Sequence, residues 1–217
     1  MFVKTWHLLR TEGPSATAGA IARRVRKLAY VREQHVWYGC DLNSTAPWAE
    51  LPQGLRLVRA NSSQVDGVVA VGQDLTEARE RFDEGIDLWL VLDGEDVPVF
   101  LCFIFRDATP VMAASDGTLE LPARTACLED AMTAPRARGQ GIATAAWILV
   151  ADELRRDGFS TLVAKIETAN AGSKRVAEKA GFSPVAVMEH ERTGVRRRTA
   201  VRPLAGGLGD ELAARLS

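Results

Sequence analysis

The chain has little with which to staple itself, hold a metal or cross a membrane. Of 217 residues, three are cysteines and three are histidines. Cys40, Cys102 and Cys127 are odd in number and widely spaced, and no pair has metal-ligand spacing. Neither a disulfide framework nor a metal site is expected. Cys102 lies inside VFLCFIF (99–105) and reads as a packing thiol, while His7, His35 and His190 stand singly. No window approaches the roughly 18 uncharged apolar residues of a membrane span. The stretch MFVKTWHLLRTEG is too charged, and its apolar part too short, for a secretory signal. A reducing cytoplasm is the expected setting. The formal net charge is −1, so no global field draws the chain to nucleic acid or an acidic membrane. The basic runs at 23–27 and 196–198 are local, balanced by acids elsewhere, and lack interleaved aromatics; they read as solvated faces.

What is present is an ordinary globular composition, 47% hydrophobic and 25% charged, with enough chain to bury one sizeable core. Ser15 to Ala29 has the spacing of a basic amphipathic helix packing on its own domain, and HVWYGCDL (35–42) reads as a strand that extends the sheet. Together, residues 1–52 form an N-terminal extension, 53–203 the main domain and 204–217 a tail with a short helical pattern. GLRLVRA (54–60) alternates like a strand. Ser62 or Ser63 can cap a short helix over Val65 to Val71, and a second helix starts at Thr76 and ends at Gly85. IDLWLVLDG and VPVFLCFIFRD flank a turn containing Asp93-Gly94 and predict a hairpin. The connector 107–122 reads mostly as loop, with a short strand at 117–121. A strand through LEDAMT, a helix from Gly141 to Gly158, the strand STLVAKIET, a helix over 173–180 and a hairpin turning at Thr193-Gly194 complete the pattern. This order predicts an α/β (α+β layered) fold with a sheet of mixed direction.

One stretch carries chemistry. PRARGQGIATAA (135–146) stands between a strand and an Ala-rich helix. A helix N-terminus leaves backbone N–H groups without partners and carries partial positive charge. Gly139 and Gly141 let those amides approach an anion, and Arg136 and Arg138 add full charges, so a pyrophosphate fits. There is no Gly-Lys-Ser/Thr of an NTPase loop, and no third glycine or downstream ribose acid of a dinucleotide fold.

Downstream stands N-x-x-S-x-R-x-x-E-K-x-G-F, from Asn170 to Phe182. RARGQGIA, a helix, a strand and this second motif together resemble the GNAT superfamily of acyl-CoA-dependent N-acyltransferases, and the resemblance covers about residues 54 to 201. It implies a mixed, splayed sheet flanked by helices. The amides of Ala137, Arg138, Gly139, Gln140, Gly141, Ile142 and Ala143 would cradle the pyrophosphate of acetyl-CoA. The main chain of Met132 and Thr133 would pair with the pantetheine arm in the gap between the strand and its parallel neighbour. Asn170 would bind that arm or simply cap its helix; Ser173, Lys174 or Arg175 would lie near the adenosine phosphates or stand as solvated helix charges. Gly181-Phe182 reads as a cap glycine and a core aromatic.

Acyl transfer to an amine needs proton removal from the ammonium and charge stabilisation on the thioester oxygen. By resemblance a carboxylate on the strand before the loop serves as base, and Leu128-Glu129-Asp130 is similar to the L/I-E-D segment of glucosamine-phosphate and polyamine acetyltransferases. Strand alternation would put Cys127, Glu129, Ala131 and Thr133 on one face and Leu128, Asp130 and Met132 on the other, unless a bulge intervenes. Glu129 is the chosen base, Asp130 the second, and a backbone N–H near Thr133 would meet the thioester oxygen. Cys127 reads as packing. Where many members carry a Tyr as general acid stands Ala177; Ser173, a water or Tyr38 could replace it, or the thiolate leaves unassisted. The acceptor, a small-molecule or peptide amine, is expected between residues 62–85 and the final hairpin. A catalytically impaired acyl-CoA sensor is the alternative, and a homodimer is open.

Overall fold

The computed structural model describes residues 30–44, 47–112, 115–194, 196–204 and 206–216. The helix expected over Ser15 to Ala29 and the basic run inside it lie outside them. In chain order come β1 (Tyr30–Asp41), β2 (Arg56–Arg59), a 3-10 helix (Val65–Val71), α1 (Leu75–Asp83), β3 (Asp87–Leu92) and β4 (Pro98–Phe105). Then follow β5 (Ala108–Met112), β6 (Ser115–Glu120), β7 (Thr125–Thr133), α2 (Ile142–Arg156), β8 (Thr161–Glu167) and α3 (Ala171–Lys179). The hairpin β9 (Ser183–Thr193) and β10 (Arg196–Pro203) precedes α4 (Leu208–Leu216).

Local chemistry accounts for most of these boundaries. Asp74 caps α1, its Oδ1 accepting the Glu77 N–H at 3.1 Å. Neither serine caps the segment over 65–71: Ser63 Oγ donates to Asn61 Oδ1 at 2.6 Å, and the uncapped segment winds as a 3-10 helix. In the β3–β4 turn, Asp93 Oδ1 accepts the N–H groups of Glu95 (3.1 Å) and Val97 (3.0 Å), fixing the hairpin. The connector expected to be mostly loop with a short strand at 117–121 is the hairpin β5–β6, a small two-stranded sheet of its own, whose β6 overlaps the expected strand.

The main sheet has eight strands in the order β10-β9-β1-β8-β7-β4-β3-β2. Only β7 and β8 run parallel; every other neighbouring pair is antiparallel. β1 is therefore not an added edge. It lies inside the sheet, pairing with β8 on one side and β9 on the other. Both sheet faces are covered. Trp147, Ile148 and Leu154 of α2 and Ala177 of α3 pack on one face with Phe100, Cys102 and Ile104 of β4. On the other, Val65, Val68 and Val71, Ala78 of α1, Leu119 of β6 and Leu212 of α4 pack with Leu101, Phe103 and Trp37. Every residue of β3 and β4 is buried, which explains their near-continuous apolar sequence. Phe100 and Phe103 are fully buried, each worth about 1.5–3 kcal/mol by area.

Candidate active site

The site begins where two parallel strands part. β7 and β8 pair from Thr125↔Thr161 to Leu128↔Ala164, and there the pairing stops. Beyond it, Lys165, Ile166 and Glu167 pair only with Trp37, Val36 and His35 of β1, while Met132 and Thr133 pair with Leu101 and Phe100 of β4. The result is a fork. Asp130 helps to open it: its φ of 49° marks a bulge, seen also as a register shift opposite Leu101 and Phe103. Asp is among the few non-glycine residues that adopt this conformation readily. The bulge resets the alternation expected from the sequence. Met132, not Ala131, shares a face with Cys127, and Ala131 packs with Leu128. Both Glu129 and Asp130 consequently line one cavity.

The peptide groups at the tip of β7 can be oriented from one hydrogen bond. Ala134 N–H donates to Val99 O on β4 at 2.9 Å, so the Thr133 N–H beside it turns away from β4, into the fork. Met132, in the hydrogen-bonded position opposite Leu101, presents its side chain instead. On the α2–α3 side the fork opens into a groove of about 640 Å³ bounded by Thr133, Arg138, Gly139, Gly141, Asn170 and Arg175. Among the described residues, the backbone N–H groups from Gly139 to Thr144 donate to no protein acceptor, and α2 has no side-chain cap. Gly139 and Gly141 have φ of 78° and 79°, and a Cβ on either would meet no protein atom within 4 Å. The space above these amides is open, which fits a multi-oxygen anion such as a pyrophosphate.

The expected ligands divide. Met132, Thr133, Ala137, Arg138, Gly139, Gly141, Ile142, Ala143, Asn170, Ser173 and Arg175 all line the groove. Arg136 turns away to Asp93 at 3.0 Å, and Gln140 Nε2 folds back to Arg136 O at 3.4 Å. Asn170 caps α3, its Oδ1 accepting the Ser173 N–H at 3.0 Å. Lys174 bonds Thr168 O, 2.7 Å away, whereas Lys179, not singled out in the sequence, borders the groove.

Through the fork, the groove meets a second cavity of about 280 Å³; Ala131, Met132, Trp147, Asn170 and Ser173 line both. Its other walls include Glu129, Asp130, Lys165, Arg81, His35 and Pro110. This cavity lies against β1, β5 and Arg81 of α1, whereas the acceptor is expected from the sequence between residues 62–85 and the final hairpin. Because β1 occupies the place beside β8, the β9–β10 hairpin stands one strand farther from the fork. Of the acids at this cavity, Glu129 is more enclosed than Asp130. Its Oε1 lies 3.1 Å from Lys165 Nζ and accepts bonds from Thr109 Oγ1 at 3.2 Å and Cys127 Sγ at 3.4 Å. Burial pushes the Glu129 carboxyl above its usual range, and Lys165 pulls the other way. Asp130 is half-exposed and bound by Arg81, which stacks on Phe103 and also reaches Glu77. His35 is held neutral, its pKa lowered to about 4 by burial and then by Lys165. Cys127 is fully buried, and desolvation raises its thiol well above the ordinary value.

Of the two side chains that could replace the missing Tyr, Ser173 lines both cavities. Tyr38 lines neither: it is buried on the α2–α3 face and its OH donates to Glu178 Oε1 at 3.4 Å. Ala177 is fully buried in the same core. Sequence reasoning missed Trp147, Lys165, Thr109, Arg81 and His35. Lys165 carried a signal, a lone charge inside the apolar run LVAKIE.

Residues 67–182 match the family model described as acetyltransferase (GNAT) family. No curated protein matches the sequence. Among solved structures, the chain is similar to a GCN5-related N-acetyltransferase from Sphaerobacter thermophilus, at 15% identity and TM-score 0.54, over 82% of this chain and 57% of that one. A Drosophila protein is similar at 15% identity and TM-score 0.56, over 80% of this chain and 57% of that one. A glucosamine N-acetyltransferase region of a fungal multi-domain β-N-acetylglucosaminidase is similar at 14% identity and TM-score 0.53, over 80% of this chain and 22% of that one. The chain thus spans less than three fifths of the length of these structures, and at such identities they share its fold.

Proposed function

The chain belongs to the GNAT acetyltransferase family, and from that premise we propose that it transfers an acyl group, acetyl foremost, from acyl-CoA to a primary amine. The observation that carries this reading is the row of unpartnered amides from Gly139 to Thr144 opening on the fork between β7 and β8. These amides and Arg138 would hold the pyrophosphate, the Thr133 peptide would bind the pantetheine arm and receive the thioester oxygen, and Arg175 would meet the adenosine phosphates. The acceptor amine would enter the smaller cavity beside Glu129.

An aliphatic ammonium with a pKa near ~10.4 is mostly protonated at neutral pH. Glu129 would take a proton from it, directly or through water. The amine nitrogen then forms a bond to the thioester carbon, the C–S bond breaks with its electron pair leaving on the thiolate, and the acylated nitrogen loses its second proton, which balances the one the thiolate takes up. A donor pocket and an acceptor pocket meeting at Ser173 leave that hydroxyl as the side chain suited to return a proton to sulfur. The acceptor is a small or peptide amine, and the three buried free thiols favour a reducing, cytoplasmic setting.

Two variants test the reading. Gly141→Asp, which adds a Cβ at positive φ and a negative charge to the cradle, is expected to weaken CoA binding at least about tenfold by calorimetry. Unaltered binding would remove the pyrophosphate assignment. Glu129→Gln is expected to retain CoA affinity and lose about 10²–10⁴ in turnover with acetyl-CoA and a panel of amines. CoA binding without turnover on every amine, unchanged by Glu129→Gln, would mark a sensor instead.

A further inference from the structure

The acyl transfer proposed above uses only half of a buried ion pair. Lys165 stands in the strand Leu162-Val163-Ala164-Lys165-Ile166 with its side chain 6% exposed, and Glu129 opposite is 11% exposed. Withdrawing an ammonium from water costs several kcal/mol unless it is well paired, so a lysine here needs a reason. Its position supplies one. Leu128↔Ala164 is the last rung between β7 and β8, and Glu129 and Lys165 are the next residues on each strand. Where the backbone ladder ends, the side chains meet at 3.1 Å.

The hydrogen bonding is one-sided. Lys165, Thr109 and Cys127 all meet Glu129 at Oε1, and among the described residues no hydrogen bond is made to Oε2. Lys165 also donates to Pro110 O at 2.6 Å, tying the same ammonium to the β5–β6 hairpin over the cavity. We propose that Lys165 is a positioning residue for the acceptor base: it fixes Glu129 at the fork through Oε1, keeps it charged, and leaves Oε2 to receive the amine proton. The inference rests on Glu129 being the base.

Other groups at the cavity do not duplicate this. Arg81 of α1 is engaged by Asp130 (2.5 Å) and Glu77 (2.6 Å). His35 of β1 is neutral above about pH 4. Cys127 and Asp130 share the strand of Glu129, Glu167 follows on β8, and Thr109 of β5 is uncharged; none supplies a cation. Burial lifts the Glu129 carboxyl and Lys165 opposes that lift, so removing the ammonium raises it further.

The test follows the ionisation of Glu129 by carbon-13 NMR of labelled carboxyls, with the signal assigned from Glu129→Gln, beside the pH profile of turnover. In Lys165→Gln the midpoint of Glu129 is expected to rise by about one to three pH units. The acid limb of kcat is expected to rise with it, so that activity lost near neutrality returns at higher pH. Lys165→Arg should keep both near wild type. Lys165→Met repeats the charge removal should the Gln variant fail to fold. An unmoved midpoint, a limb that stays while the midpoint moves, or an Arg variant no better than Gln would overturn the proposal. Absence of turnover in the wild type with every amine would instead overturn the acyl-transfer reading. The NMR midpoint would then decide alone whether Lys165 keeps Glu129 charged.

Discussion

At the scale of single residues, charge burial around the fork links function to pH. His35 is neutral in the fold because burial, aided by Lys165, lowers its pKa to about 4 from an ordinary 6.5. The sign follows directly. Above pH 6.5 the ring is neutral folded and unfolded, and contributes no pH dependence. Between 6.5 and 4 the unfolded chain binds a proton that the folded chain refuses, so stability falls as pH falls. Allowing for the part of the ring that water reaches, the loss by pH 4 is about 1–2 kcal/mol. Urea unfolding at pH 7.5 and 5.0 is expected to show a smaller decline for His35→Gln than for wild type; equal declines would exclude His35 as the source. Lys165 and His35 line the same cavity, yet only the lysine is paired with Glu129.

At the scale of elements, the bulge in β7 determines what the fork contains. A straight strand would bring only one of Glu129 and Asp130 to the cavity; the φ of 49° at Asp130 brings both there and turns Met132 to the face of Cys127. Asp130→Val, with a β-branched side chain in that conformation, is expected to cost about 1–2 kcal/mol more stability than Asp130→Gly, measured by denaturant unfolding. Equal losses would mean that the Arg81 ion pair, absent from both variants, dominates instead. The bulge also shows where sequence reasoning stops. Rules that act within a few residues were legible: the Asp93 turn, the Gly141 helix start and the Gly181-Phe182 helix end were all readable from short patterns. The bulge depends on how β7 registers against β4, thirty residues earlier in the chain, and alternation alone cannot express it. Of the β5–β6 hairpin only the second strand was legible, as the short strand at 117–121; β5 was hidden because it is five residues long with Pro110 inside it. Lys165 was visible as an anomaly, but its partner was set by the splay.

At the scale of the whole molecule, β1 joins the forked half of the sheet to the β9–β10 hairpin. Its Trp37 is fully buried, and it hydrogen-bonds to strands on both sides. Deleting residues up to 41 is expected to expose the edges of β8 and β9 and abolish the near-ultraviolet circular dichroism of the native protein; a truncated chain retaining that signal would show β1 to be dispensable. The pairing spans great distances in sequence: Gln34 Nε2 reaches Glu189 Oε1 at 2.7 Å across 155 positions. Such non-local contacts slow folding, because loop closure precedes any gain from the contact. On the ribosome, which builds from the N-terminus, β1 emerges before the other described strands, and its partners β8 and β9 follow only after β2 to β7. Nascent β1 therefore waits with both of its backbone edges unmatched, open to mispairing with other chains, until the two strands that flank it are made.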